Sequence, residues 1–132
     1  MAADGRLRAR VAAWSQESSQ EFAEACAGRA TEHAAQVLER AGHHAEAARL
    51  IGSVGLDDAL AMARRLAIEV PAARTSLMMA GDCAVRALGG AASTSAYIAA
   101  HAAHRLDGPQ GYAVERWRQS EWLVRRLELE PV

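Results

Sequence analysis

The sequence predicts an all-α fold, a single-domain compact bundle of about six or seven helices of antiparallel type. Alanine supplies 32 of the 132 residues, and alanine is the strongest helix former because it loses no side-chain entropy on ordering. Apolar residues recur at spacings of three and four along most of the chain, the period of a helix with one buried face. Residues that favour strands never cluster in alternating runs, so no sheet is expected.

The elements follow in order. A first helix is expected over residues 6–14, followed by the polar run Ser15 to Ser19. Ser18 or Ser19 caps a second, long helix with Glu21 in its first turn. Phe22, Cys26, Ala30, Val37 and Ala41 share one side of it, and Gly42 ends it. Residues 43–51 form a short third helix, closed by Gly52-Ser53-Val54-Gly55. A fourth opens at Leu56-Asp57-Asp58, with carboxylates in its first turn and Leu56, Ala59, Leu60, Ala63, Leu66, Ala67 and Val70 on its apolar side. Pro71 ends that helix or opens the next. A fifth covers residues 72–88, with Leu77, Met78, Ala84, Val85 and Leu88 inward, and Gly89-Gly90 breaks it. A sixth runs from Ser93 or Thr94 to Leu106, Asp107-Gly108-Pro109 makes a turn, and a seventh spans residues 110–128.

Composition narrows the function classes. All 15 basic residues are arginine and the formal net charge is −1. The arginines are interleaved with acids, which argues against a nucleic-acid partner. No apolar run approaches the ~20 residues of a membrane span, and the amino-terminal residues lack the apolar core of a secretory leader. A cytoplasmic protein with no membrane partner is expected. The alanine and arginine usage points to a GC-rich bacterial genome, such as an actinomycete's. Cys26 and Cys83 lie in apolar helical stretches, where a thiol behaves as a small hydrophobe. No phosphate loop, metal-finger spacing or complete catalytic triad occurs, so no cofactor and no metal are expected.

Two constellations carry chemistry. Tyr97, His101 and His104 stand at i, i+4 and i+7, within an arc of about 60° on one helix face. Such a stripe hydrogen-bonds to neighbouring helices, or does acid–base work in an interhelical pocket with a carboxylate such as Asp82 or Glu115. On the last helix, Ala113, Trp117, Ser120, Val124 and Leu127 read as the inward side. Trp122 falls away from that stripe, and with Glu115, Arg118 and Arg125 it defines an expected binding surface, because tryptophan and arginine are enriched at interface hot spots. Elsewhere, His33 borders the second helix's apolar side, Glu39 and His43 are spaced to pair, and Asp82 and Arg86 are spaced to form a surface pair.

Three stretches, Phe22-Ala-Glu-Ala-Cys26-Ala-Gly-Arg29, Ser95-Ala-Tyr-Ile-Ala-Ala-His101-Ala-Ala-His104 and Glu115-Arg-Trp117-Arg-Gln119-Ser-Glu-Trp-Leu123, resemble a family of small, alanine-rich, all-helical immunity proteins of bacterial toxin loci. The resemblance implies a binding role, in which a rigid helical surface occludes another protein. It carries no catalytic residues. The leading expectation is a protein-binding module, immunity-like or a subunit of a complex, with a protein partner or a homodimer and room for a small-molecule ligand. The alternative is a small helical enzyme, or accessory subunit of secondary metabolism, working through Tyr97, His101 and His104.

Overall fold

The computed structural model describes residues 16–129. They form five α-helices and one 3-10 turn: α1 (Gln16–Arg40), α2 (His44–Ile51), α3 (Gly55–Glu69), the turn Pro71–Ala73, α4 (Arg74–Leu88) and α5 (Ala92–Leu129). The all-α class holds, and among the described residues there is no strand. The count is five rather than six or seven for two reasons. The expected helix over residues 6–14 lies outside the described residues. The expected sixth and seventh helices run together as α5, bent at Gly108.

That bend has a local cause. Gly108 takes φ 69° and ψ −153°, a conformation open to glycine and strained for other residues. Pro109 follows, suited to the first turn of a helix but unable to donate to the turn before it. The helical conformation is thus broken at this one residue, within the expected turn Asp107-Gly108-Pro109, and the chain changes direction there. Just beyond, a Cβ on Gly111 would run into the carbonyl of Ala103 and the side chain of Asp107, so the bend is tight enough to require glycine there. The α1 terminus is as local: Gly42, at φ 86°, lets the His43 amide donate to the Leu38 carbonyl at 2.8 Å and its own amide to that of Glu39 at 3.0 Å, the paired bonds of a Schellman motif.

Long α1 is the hub. It packs on α2, α4 and α5, while α3 packs mainly on α4. Small side chains set the spacing, since the buried face of α1 is mostly alanine around Phe22, Cys26 and Leu38. One cluster joins that face to α4 and α5 around Phe22, Cys26, Cys83 and Leu123. The other joins it to α2, α3 and α4 around Leu38, Leu50, Leu66 and Leu77. Burying one leucine side chain contributes about 1.5–3 kcal/mol, and these four leucines are fully enclosed.

Several inward assignments need correction. In α4 the buried residues are Ser76, Leu77, Ala80, Gly81, Cys83, Ala84 and Ala87. Met78, Val85 and Leu88 face outward, at 52%, 39% and 43% exposure. Small residues at the contact let α4 lie close to its neighbours, and this selects the alanine–glycine side over the bulkier one. No described helix is long and apolar enough to cross a membrane.

Candidate functional site

The second half of α5 decides which side chains are available for function, and it is turned over relative to the sequence reading. Glu115, Gln119 and Leu123, at i, i+4 and i+8, are buried at 1%, 3% and 4% exposure. Trp122 is half-buried and packs on Phe22, with ring centroids 5.4 Å apart. Ala113, Trp117 and Val124, expected inside, face outward. Trp117 is 63% exposed and Val124 47%. At 100° per residue, Trp117 lies nearly opposite the Glu115–Gln119 side.

The cause is an arginine on the buried side of α1. Arg29 Nε donates to both oxygens of Glu115, at 2.8 and 3.1 Å. Gln119 Nε2 donates to Glu115 Oε2 at 2.7 Å and to the Ala96 carbonyl at 2.9 Å, which ties the two halves of the bent helix together. Arg116 Nη1 donates to Gln119 Oε1 at 3.0 Å. His33, one turn beyond Arg29, brings Nε2 to 3.5 Å from Glu115 Oε1, the outer edge of hydrogen-bonding distance. Burial pushes the Glu115 carboxyl up, but the nearby His33 ring, the hydrogen bonds from Arg29 and Gln119 and the Arg29 charge outweigh it and hold the group below the usual carboxylate range. Glu115 therefore stays ionised. It has no proton to give near neutral pH, and its oxygens are already occupied by donors.

The expected binding residues Glu115, Arg118, Trp122 and Arg125 do fall within about 80° of one another on α5, but Glu115 is buried and Trp122 half-buried. Arg118 and Arg125 are exposed, and Arg125 donates to Glu121 at 2.6 Å. Glu115 and Trp122 serve the packing of α5 on α1 instead. A cavity of about 360 Å³ opens beside this network, lined in part by His33, Gln36, Leu106, Gln110, Val114 and Arg118.

The Tyr97, His101 and His104 stripe does come together, with Tyr112 added from beyond the bend. Ring centroids are 4.3 Å apart for Tyr97–His101, 5.6 Å for His101–Tyr112 and 6.5 Å for His104–Tyr112. Tyr97 and His104 are exposed and His101 is half-buried. The group is an edge-to-face aromatic cluster on the outside of the bundle, which explains its helical spacing through ring packing. Among the described residues no three His, Cys, Asp or Glu side chains gather as a metal-binding set.

Both cysteines are inside and unbridged. Burial pushes the Cys83 thiol up to about 12, with the Glu115 charge adding to it, and raises Cys26 further still for the same first reason. Neither is a nucleophile at neutral pH. Of the lesser pairings, Glu39 pairs with His44 at 2.7 Å rather than with His43, while Asp58 keeps its place at a helix start and accepts the Val54 amide at 2.8 Å. Among the described residues Asp82 and Arg86 form no ion pair. Comparison with protein-family models, with curated proteins and with solved structures returns no match.

Proposed function

We propose that this chain is a protein-binding module, immunity-like or a subunit of a complex, and that its docking face is the outer side of the second half of α5. The observation that carries this reading is Trp117. A tryptophan 63% exposed, on the side of its helix away from the core and with Ala113 and Val124 beside it, leaves most of its surface uncovered by the described residues. Tryptophan in the centre of an interface is among the strongest binding anchors known. The helix beneath it is held by the Arg29–Glu115 pair and by Gln119 across the bend, so the face is pre-organised and loses little entropy on docking.

The alternative, acid–base catalysis by Tyr97, His101 and His104, has a narrower basis. It rests on the ring contacts among these residues and Tyr112. Their place on the outer surface leaves a substrate in water, where proton transfer gains least from its surroundings.

Paired baits test the binding reading. The full chain and its Trp117→Glu variant are used to capture proteins from the native host. A partner retained by the first and lost by the second is the expected result. A partner held equally by both would move the docking face elsewhere, and capture of nothing by either, with a monomeric profile, would overturn the reading.

A further inference from the structure

Helices α3 and α4 carry the same local pattern. On α3, Arg64 is followed at i+3 by Ala67 and at i+4 by Ile68; on α4, Arg74 is followed by Leu77 and Met78. In each, the i+3 residue is buried and the i+4 residue is a large apolar side chain turned outward. Ile68 is 82% exposed and Met78 52%. Only Val70 and the turn Pro71–Ala73 separate the two helices, and so short a connection returns the chain alongside itself. The two patterns then meet in opposite directions, with Ile68 and Arg74 near the turn and Arg64 and Met78 away from it.

Together these residues line a groove of about 430 Å³ floored by Ala67. It continues past Arg64 and Met78 into a smaller hollow over Leu77 and Gly81, where Asp82 bounds the far end, so the cationic stretch is the groove between Arg64 and Arg74. Both guanidinium groups are exposed, and among the described residues neither has a carboxylate partner. What sets these two apart from the other exposed arginines is the apolar groove between them, walled by Ile68, Pro71 and Met78. An apolar groove flanked by unneutralised cations complements one kind of surface, an apolar stripe bordered by carboxylates.

We infer that the α3–α4 groove docks an acidic amphipathic helix of a partner protein. Its apolar side would lie against Ile68, Met78 and the floor of Ala67 and Leu77, and its carboxylates would meet Arg64 and Arg74. This is the helix-in-groove mode, read by apolar anchors at i, i+3 or i+4, and i+7. The site is separate from the Trp117 face, so the inference stands or falls without that reading.

The test uses the full chain and three fluorescein-labelled probes followed by anisotropy. One is a synthetic helix of about five turns with leucine at the anchor positions and glutamate beside them. The second replaces every glutamate with lysine. The third is a single-stranded oligonucleotide. The acidic helix is expected to bind at least about tenfold more tightly than the basic one, weakening as salt rises to roughly 300 mM. Arg64→Glu with Arg74→Glu, and separately Met78→Asp, should each weaken it about tenfold or more, while Trp117→Glu leaves it unchanged. All substituted residues are exposed, and circular dichroism checks that the fold is retained. Equal binding of the two helices, indifference to the groove substitutions, or tighter binding of the oligonucleotide at the same arginines would overturn the inference.

Discussion

Removing one partner of the Arg29–Glu115 pair should cost more than removing both. Glu115 is 1% exposed and the Arg29 side chain 16%, so the carboxylate is the more deeply desolvated of the two. Breaking a buried pair from one side costs about 3–5 kcal/mol, because an uncompensated charge is left inside. Glu115→Leu leaves the arginine, which can still turn toward water, and falls near the lower figure. Arg29→Leu strands the carboxylate with Gln119 as its remaining close donor and falls near the upper. At about 2.1 cal/mol/K of unfolding entropy per residue, 132 residues give about 0.28 kcal/mol/K, so a loss of 3 kcal/mol lowers Tm by about 11 °C. The double variant Arg29→Leu/Glu115→Leu replaces the pair with hydrocarbon and should be more stable than either single variant by about 2 kcal/mol or more. Urea unfolding of the four proteins, with thermal melts alongside, measures the cycle. Single variants that each cost under about 1 kcal/mol, or a double variant equal to the sum of the two, would refute the electrostatic account of how α5 is held on α1.

The same carboxylate sets an acid limb. Its folded pKa lies below the ordinary value of 4.5, so its contribution is complete above that value and is lost as pH falls through the folded pKa. Stability of the native chain should therefore decline below about pH 4.5, and Glu115→Gln should flatten that decline in pH-dependent melts. The thiols give a second readout: with Cys83 raised to about 12 and both cysteines buried, a thiol reagent at pH 8 should label neither until denaturant is added. The two α5 tryptophans should behave oppositely. Trp117→Phe should remove more of the iodide-quenchable fluorescence than Trp122→Phe. Trp122→Ala, which empties a contact with Phe22, should cost about 2–3 kcal/mol, against under about 0.5 kcal/mol for Trp117→Ala.

The fold class was legible because helix period, alanine content and glycine stops all agree, and Gly42, Pro71 and Gly90 stand at element ends in the structure. The turn at Asp107-Gly108-Pro109 was legible too, since Gly108 leaves the helical conformation there; only its brevity, one residue, joins the two expected helices into one bent element. The inversion of α5 is more instructive. Its second half offers two apolar-looking sides, and the more hydrophobic of them, with Trp117 and Val124, is the outer one. Amphipathicity ranks faces by their own composition, whereas burial depends on the surface opposite. The signal that could have found the true face was Arg29. A cation one turn from Cys26 on an otherwise alanine-lined stripe calls for a carboxylate from another helix, and Glu115, with Gln119 four residues on, was available to answer it. The groove between Arg64 and Arg74 had no signal in the sequence, where Met78 reads as inward; Ile68 and Met78 are exposed only because α3 and α4 pack through smaller residues.

The docking role of the outer α5 face can be tested at the tryptophan itself. A photo-crosslinking benzoyl-phenylalanine is placed at position 117 of the full chain in the native host, and at position 104 as an exposed control on the Tyr97–His101 cluster. A discrete protein adduct formed from position 117 and absent from position 104 is the expected result. No adduct from 117, or the same adduct from both positions, would contradict the account.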